Sequence, residues 1–145
     1  MPARSSFDYV VVRVVPRVER EEFINVGVIL FCRTRRFLDA QIELDVRRLA
    51  ALWPDIDPSL VQSHLDIIAR VCTGGPDAGP IGQLPQTERF NWLAAPRSSV
   101  IQMSPVHSGL CTDPRTTLHH LFETLVRLPP AGREKSREAS IAHKR

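Results

Sequence analysis

From Phe7 to Val15 the chain reads Phe-Asp-Tyr-Val-Val-Val-Arg-Val-Val, a β-branched and aromatic run closed by Pro16, and it predicts a strand. A period of two places Val10, Val12 and Val14 on one face and Tyr9, Val11, Arg13 and Val15 on the other. Arg13 therefore projects from a mostly apolar face. A polar connection over 17–22 leads into a second apolar run, Phe23 to Phe31, interrupted only by Asn25 and Gly27. A glycine inside such a run marks a bulge or a place where another backbone or a ligand comes close. After the polar turn Cys32-Arg33-Thr34-Arg35-Arg36, the segment Phe37 to Leu44 alternates cleanly, with Leu38, Ala40, Ile42 and Leu44 against Asp39, Gln41 and Glu43. One face of this third strand is expected to meet water, which implies an antiparallel meander rather than a parallel sheet covered on both sides.

The period then changes to that of helices. Asp45 caps a short helix carrying Val46, Leu49, Leu52 and Trp53, and Pro54 ends it. Asp57 and Pro58 open a longer one with Leu60, Val61, His64, Leu65, Ile68, Val71 and Cys72 at helical spacing and Gly74 at its exit. His64, on that stripe, reads as a core or boundary residue. Residues 73–87 hold Gly74, Gly75, Gly79 and Gly82 with Pro76, Pro80 and Pro85, and predict an irregular loop. Short strands are expected at Phe90 to Leu93 and Ser98 to Met103, and a second loop from Ser104 to Thr112. A last helix, capped by Thr112 or Asp113 and started by Pro114, carries Leu118, Leu121, Phe122, Leu125 and Leu128 and stops at Pro129-Pro130. The sum is one α+β domain over 7–129: an antiparallel β-meander packed with about three helices, a Gly/Pro-rich central loop and a closing helix on one sheet face.

Composition adds bounds. At 145 residues, 43% of them hydrophobic, the chain has room for one core. It contains no apolar stretch of membrane-spanning length and no apolar core near Met1-Pro2-Ala3-Arg4-Ser5, so a cytoplasmic location is expected. Cys32, Cys72 and Cys111 lie about 40 residues apart without a C-x-x-C pair, which points to buried, reduced thiols rather than a zinc knuckle or a disulfide framework. The net charge of +3 is a property of one end. Residues 130–145 contain Arg133, Lys135, Arg137, Lys144 and Arg145 against Glu134 and Glu138, while the rest of the chain balances. This basic tail, after a lead over 1–6 and the domain, is too poor in large apolar residues to order itself and is expected to be disordered.

Candidate chemistry is sparse, and neither a cofactor motif nor a metal-ligand spacing is visible. His107, Ser108 and Cys111 lie close in sequence just before a helix start that lowers a thiol pKa, which makes His107 and Cys111 the candidate catalytic pair. The plainer reading is a surface histidine and a cysteine packed under the helix. His119 and His120 are adjacent on a helix, about 100° apart, and do not chelate as an i, i+4 pair would. The glycines of 74–82 match no phosphate-loop pattern. Arg33, Arg35 and Arg36, with Arg47 and Arg48 nearby, offer phosphate contacts to a nucleic acid or, more plainly, a solvated turn, since aromatics for base stacking are scarce.

The segments Tyr9-Val-Val-Val-Arg13-Val-Val-Pro16 and Glu22-Phe-Ile-Asn25-Val-Gly27-Val-Ile-Leu-Phe31, followed by Ser98-Ser-Val-Ile-Gln, Thr112-Asp-Pro114 and Leu118-His-His-Leu-Phe-Glu-Thr-Leu-Val126, together resemble the bacterial family catalogued as domain of unknown function 3037. The resemblance covers about residues 7–128 and implies a small α+β cytoplasmic domain, whose relatives are often encoded beside kinases like the HipA toxin kinase. It places motif positions at Arg13, Pro16, Glu22, Asn25, Gly27 and Asp113. Pro16 ends a strand, Gly27 permits a bulge and Asp113 caps a helix, whereas Arg13, Glu22 and Asn25 have no such simple structural reason. If Arg13 and Asn25 share a face on paired strands, they form with Glu22 a buried ion pair or a ligand site, and register decides which. The expected function is an accessory or regulatory module that binds a protein partner, a HipA-like kinase by resemblance, with Arg13, Glu22, Asn25 and Gly27 as the binding residues. The alternatives are a small enzyme or ligand-binding domain with a pocket at Arg13, Glu22 and Asn25, and a nucleic-acid binder using the arginine turn and the tail.

Overall fold

A computed structural model describes residues 3–95 and 100–127. The expected disorder of the tail and the Pro129-Pro130 stop lie outside the described residues. Strand β1 (Ser5–Val14) is the centre of an antiparallel sheet, with β2 (Ile24–Cys32) on one side and β3 (Phe37–Ile42) beyond it. On the other side β4 (Ile101–Met103) pairs with the C-terminal half of β1 and β5 (His107–Cys111) with its N-terminal half, so the two short strands lie end to end along one long one. Ser104 keeps the ladder continuous between them. Its backbone N–H donates to the Val11 carbonyl at 2.9 Å, and its hydroxyl accepts from the Val11 N–H at 2.8 Å.

The segment Ser104 to Thr112 is therefore largely strand, not loop. Its sequence, with polar residues, a proline and one glycine, hides a strand whose backbone bonds come from β1 rather than from its own pattern. Gly109 admits the Phe7 ring, which a Cβ there would meet at 2.8 Å.

Helices cover both faces. On the face of Val10, Val12 and Val14 lie α1 (Val46–Leu52), α2 (Pro58–Thr73) and α4 (Gln86–Ala94), burying Leu49, Val61, Leu65, Ile68, Val71, Phe90 and Leu93. The other face packs Phe7, Val28, Leu30 and Cys32 against Leu118, Phe122 and Val126 at and just beyond α5 (Pro114–Leu125). The three aspartate caps are formed: Asp45 accepts from Arg47 and Arg48, Asp57 from Ser59, and Asp113 from Arg115. Gly74 ends α2 with φ of 81°.

Four expectations change here. Residues 73–87 hold a 3-10 turn (Pro76–Ala78), the short helix α3 (Gly79–Gly82) and the start of α4, and Phe90 to Leu93 is helical instead of extended. Arg89 organises this region. Nearly buried, it donates from Nη1 to the Val71 and Cys72 carbonyls at 2.9 and 2.8 Å and from Nε to the Leu84 carbonyl at 2.9 Å, tying the end of α2 to α4. The polar face of β3 is also not left to water: α5 crosses it, with Arg115 paired to Asp39 at 2.7 Å and His119 within 3.3 Å of Gln41. His64 is exposed on the outer side of α2, because the wide apolar stripe buries only Val61, Leu65 and Ile68 of its neighbours.

Candidate functional site

The register of β1 against β2 shifts between Val12 and Arg13. Val12 pairs with Gly27, the next residue Arg13 pairs with Asn25, and Val26 is left as the extra residue of a β-bulge. The consequence is chemical. Strict alternation would put Asn25 on the same face as Gly27, towards the core of α1, α2 and α4. The bulge instead lets Ile24 and Val26 both enter that core and turns Asn25 to the α5 face, where its Nδ2 donates to the Leu125 carbonyl at 3.1 Å.

Across the sheet, Arg13 stands between Asn25 on β2 and Gln102 on β4, its register partners on either side. Three polar side chains thus form a row across β1, β2 and β4. The Arg13 guanidinium carbon lies 4.2 Å from the centre of the Phe23 ring, a cation–π arrangement, while Phe23 itself is 46% exposed. Arg13 Nε and Asn25 Oδ1 are both buried and have no hydrogen-bond partner among the described residues. A donor and an acceptor on adjacent strands, each withdrawn from solvent without a partner among the described residues, each cost about 1–3 kcal/mol.

Beside them opens a cavity of about 300 Å³ whose walls include Arg13, Glu21, Phe23, Gln102 and Met103. Glu21 on its rim is a non-glycine residue in the left-handed region, with φ of 54°. Strain of this kind accumulates where a loop is held in a specific shape beside a binding surface.

The remaining candidate residues separate. Glu22 does not join Arg13 and Asn25; its Oε1 accepts from Arg20 Nε at 2.5 Å, and that hydrogen bond holds its carboxyl below the usual glutamate range. Gly27 is not part of the cavity wall. A Cβ there would meet Ile42 Cγ1 at 2.8 Å and the Gln41 carbonyl at 2.9 Å, so its glycine is needed by the approach of β3. His107 and Cys111 sit four residues apart on extended β5, about 13 Å end to end, and do not form a dyad. His107 is exposed and lies over the Tyr9 ring, with centroids 5.2 Å apart. Cys111 is buried, and burial with the neighbouring Cys32 pushes its thiol up, opposite to the lowering expected from the helix start. Of the arginine turn, Arg35 folds back on the lead, donating from Nε to Ser5 Oγ at 3.2 Å and from Nη2 to the Ala3 carbonyl at 2.9 Å. Arg33 and Arg36 instead line a separate concavity. Among the described residues no group of three or more His, Cys, Asp and Glu is arranged to hold a metal ion, and no helix is long and apolar enough to cross a membrane.

Sequence reasoning missed Glu21, Phe23 and Gln102 as members of the site. The visible signal was weak: one glutamine inside Val100-Ile-Gln-Met103, and one phenylalanine that reads as core. Residues 9–126 match the protein family described as "Protein of unknown function (DUF3037)". No curated protein and no solved structure matches the chain.

Proposed function

The chain belongs to the DUF3037 family of proteins of unknown function, and starting from that membership we propose that it is a non-catalytic binding module that takes an acidic side chain of a protein partner at Arg13. The observation that carries this reading is the Arg13 Nε, buried in the wall of a cavity with no acceptor among the described residues. Among the described residues Arg13 enters no ion pair, so its planar donors are free for a carboxylate, which fits a guanidinium in bidentate fashion. Phe23, stacked on Arg13 and half in solvent, supplies apolar contact beside the charge. Arginine next to an exposed aromatic is the usual composition of an interface hot spot. The three buried free thiols suit a reducing compartment, and the cytoplasm is the location we infer. The resemblance in sequence makes a HipA-like kinase the first partner to test.

The experiment compares the full chain with its Arg13→Met and Phe23→Ser variants as immobilised baits in extract of the native host, followed by titration of the recovered partner. Stoichiometric recovery by the native chain, with affinity reduced at least tenfold by Arg13→Met and less by Phe23→Ser, is expected. Equal recovery by all three overturns the reading. A small carboxylate ligand is the second reading, favoured by the cavity's size of about 300 Å³. Thermal stabilisation of the native chain, but not of Arg13→Met, by one member of a panel of small carboxylates decides for it.

A further inference from the structure

The β2–β3 turn and the first turn of α4 enclose a second site, independent of Arg13. Two adjoining concavities, of about 420 and 270 Å³, share Phe31, Arg33 and Thr87 as common walls. Phe31 lines both, and Phe90, stacked on it with ring centres 5.3 Å apart, lines the smaller one. The larger concavity is walled by Arg33 and Arg36 and, among the described residues, by no carboxylate. Neither arginine enters an ion pair among the described residues. The smaller one has the hydroxyl of Ser6, the carboxylate of Asp8 and the amide of Asn91 on its walls. One end is thus cationic and the other is a set of neutral and acidic hydrogen-bonding groups.

Arg36 has a second peculiarity. Its backbone is left-handed, with φ of 52°, a conformation that glycine or asparagine adopts at lower cost. An arginine at such a position breaks a local rule, and what its side chain adds there is a guanidinium at the cationic end of the groove. Its carbonyl is held by Gln86 Nε2 at 3.0 Å, which fixes the turn against α4. The helix itself begins at the groove with Pro85 as its N-cap and no capping side chain, and Glu88 in its first turn offsets the positive end of the helix, so the cationic character rests on the two arginines.

We propose that this groove binds a phosphate monoester of a small polyhydroxylated molecule, a sugar phosphate or a nucleoside monophosphate. Arg33 and Arg36 hold the phosphate, and Asp8, Asn91 and Ser6 accept and donate hydrogen bonds to the hydroxyls. Paired guanidinium groups match phosphate oxygens in charge and geometry. Asp8 already accepts from Ser108 Oγ at 2.6 Å through Oδ1, which orients its carboxylate and leaves Oδ2 for a ligand hydroxyl.

The test is calorimetric titration of the full chain with ribose 5-phosphate and with adenosine 5′-monophosphate, against ribose and inorganic phosphate. At least one ester is expected to bind tighter than inorganic phosphate, and ribose is expected not to bind. Arg33→Ala and Arg36→Asn each weaken the ester at least tenfold, whereas Arg47→Ala, which removes the same charge from an exposed position on α1, changes it less than twofold. Arg36→Asn suits the left-handed backbone and keeps or raises the melting temperature, so its loss of binding reports on the guanidinium and not on folding. Absence of binding by both esters overturns the proposal. So does an affinity no better than that of inorganic phosphate, or equal weakening by Arg47→Ala. Binding of a single-stranded oligonucleotide without binding of either ester assigns the groove to nucleic acid and overturns it as well.

Discussion

At the scale of single residues, Arg13 and Gly27 make opposite demands on stability. Gly27 faces β3 so closely that a methyl group would sit 2.8 Å from Ile42 Cγ1 and 2.9 Å from the Gln41 carbonyl. Because one of those neighbours is backbone, relief requires a shift of the strand. Gly27→Ala is expected to destabilise the protein by about 1–3 kcal/mol, measured as the urea midpoint at unchanged slope. Arg13 behaves in the other direction. Its Nε is buried and unmatched, so replacement by the apolar and similarly long methionine removes a cost instead of a bond. Arg13→Met is expected to leave the melting temperature equal or higher while weakening the proposed partner binding at least tenfold; a clear loss of stability would mean that Arg13 is a structural residue. Both residues were visible as exceptions within apolar strands. Which exception serves packing and which is left with an unmatched donor depends on what lies across the sheet, and one strand's pattern does not contain that.

At the scale of elements, the fold depends on side chains that receive the ends of helices. Arg89 satisfies carbonyls of Val71 and Cys72 in the last turn of α2 and of Leu84 before α4. Arg89→Met leaves these carbonyls without their charged donor in a buried place, and a loss of about 3 kcal/mol or more is expected in denaturant unfolding. The end of α5 is held in the same manner from two sides, by Asn25 Nδ2 on the Leu125 carbonyl at 3.1 Å and by Arg48 Nη1 on the Val126 carbonyl at 3.3 Å. Asn25→Ala should therefore raise amide exchange in the last turn of α5 without changing exchange in α2, a local effect readable by hydrogen exchange. The helices with an aspartate cap and an adjoining proline or regular stripe are legible in the sequence. Strand β5 and helix α4 are not, because each is short and its neighbours supply the bonds and burial that its own residues leave ambiguous.

At the scale of the whole molecule, the sheet lies between two separate apolar layers, and all three cysteines are enclosed. Burial pushes the Cys72 thiol from about 9 up to about 12, with Asp39 adding to the rise and Arg89 opposing it. A raised folded-state value means that the native protein holds this proton more tightly than the unfolded chain does. The corresponding stability is complete below about pH 9 and is lost as pH climbs from 9 towards 12. The unfolding free energy should fall above pH 9 with a slope approaching about 1.4 kcal/mol per pH unit from this thiol. Urea midpoints at about pH 8 and about pH 10.5 test it: Cys72→Ala should flatten the alkaline decline, and an unchanged decline would refute the assignment.

The sequence by itself determined the meander of β1, β2 and β3, the three capped helices and the arginine that stands out of an apolar strand. Those features depend on local propensity, period and capping, which neighbouring residues settle among themselves. Only the tertiary structure decided that a bulge at Val26 sets Asn25 beside Arg13, that Glu22 pairs with Arg20 instead, and that Arg33 and Arg36 part from Arg35 to face a groove. Strand register and the meeting of distant side chains are chosen by packing across the whole sheet, where moving one residue reverses the face that a side chain occupies.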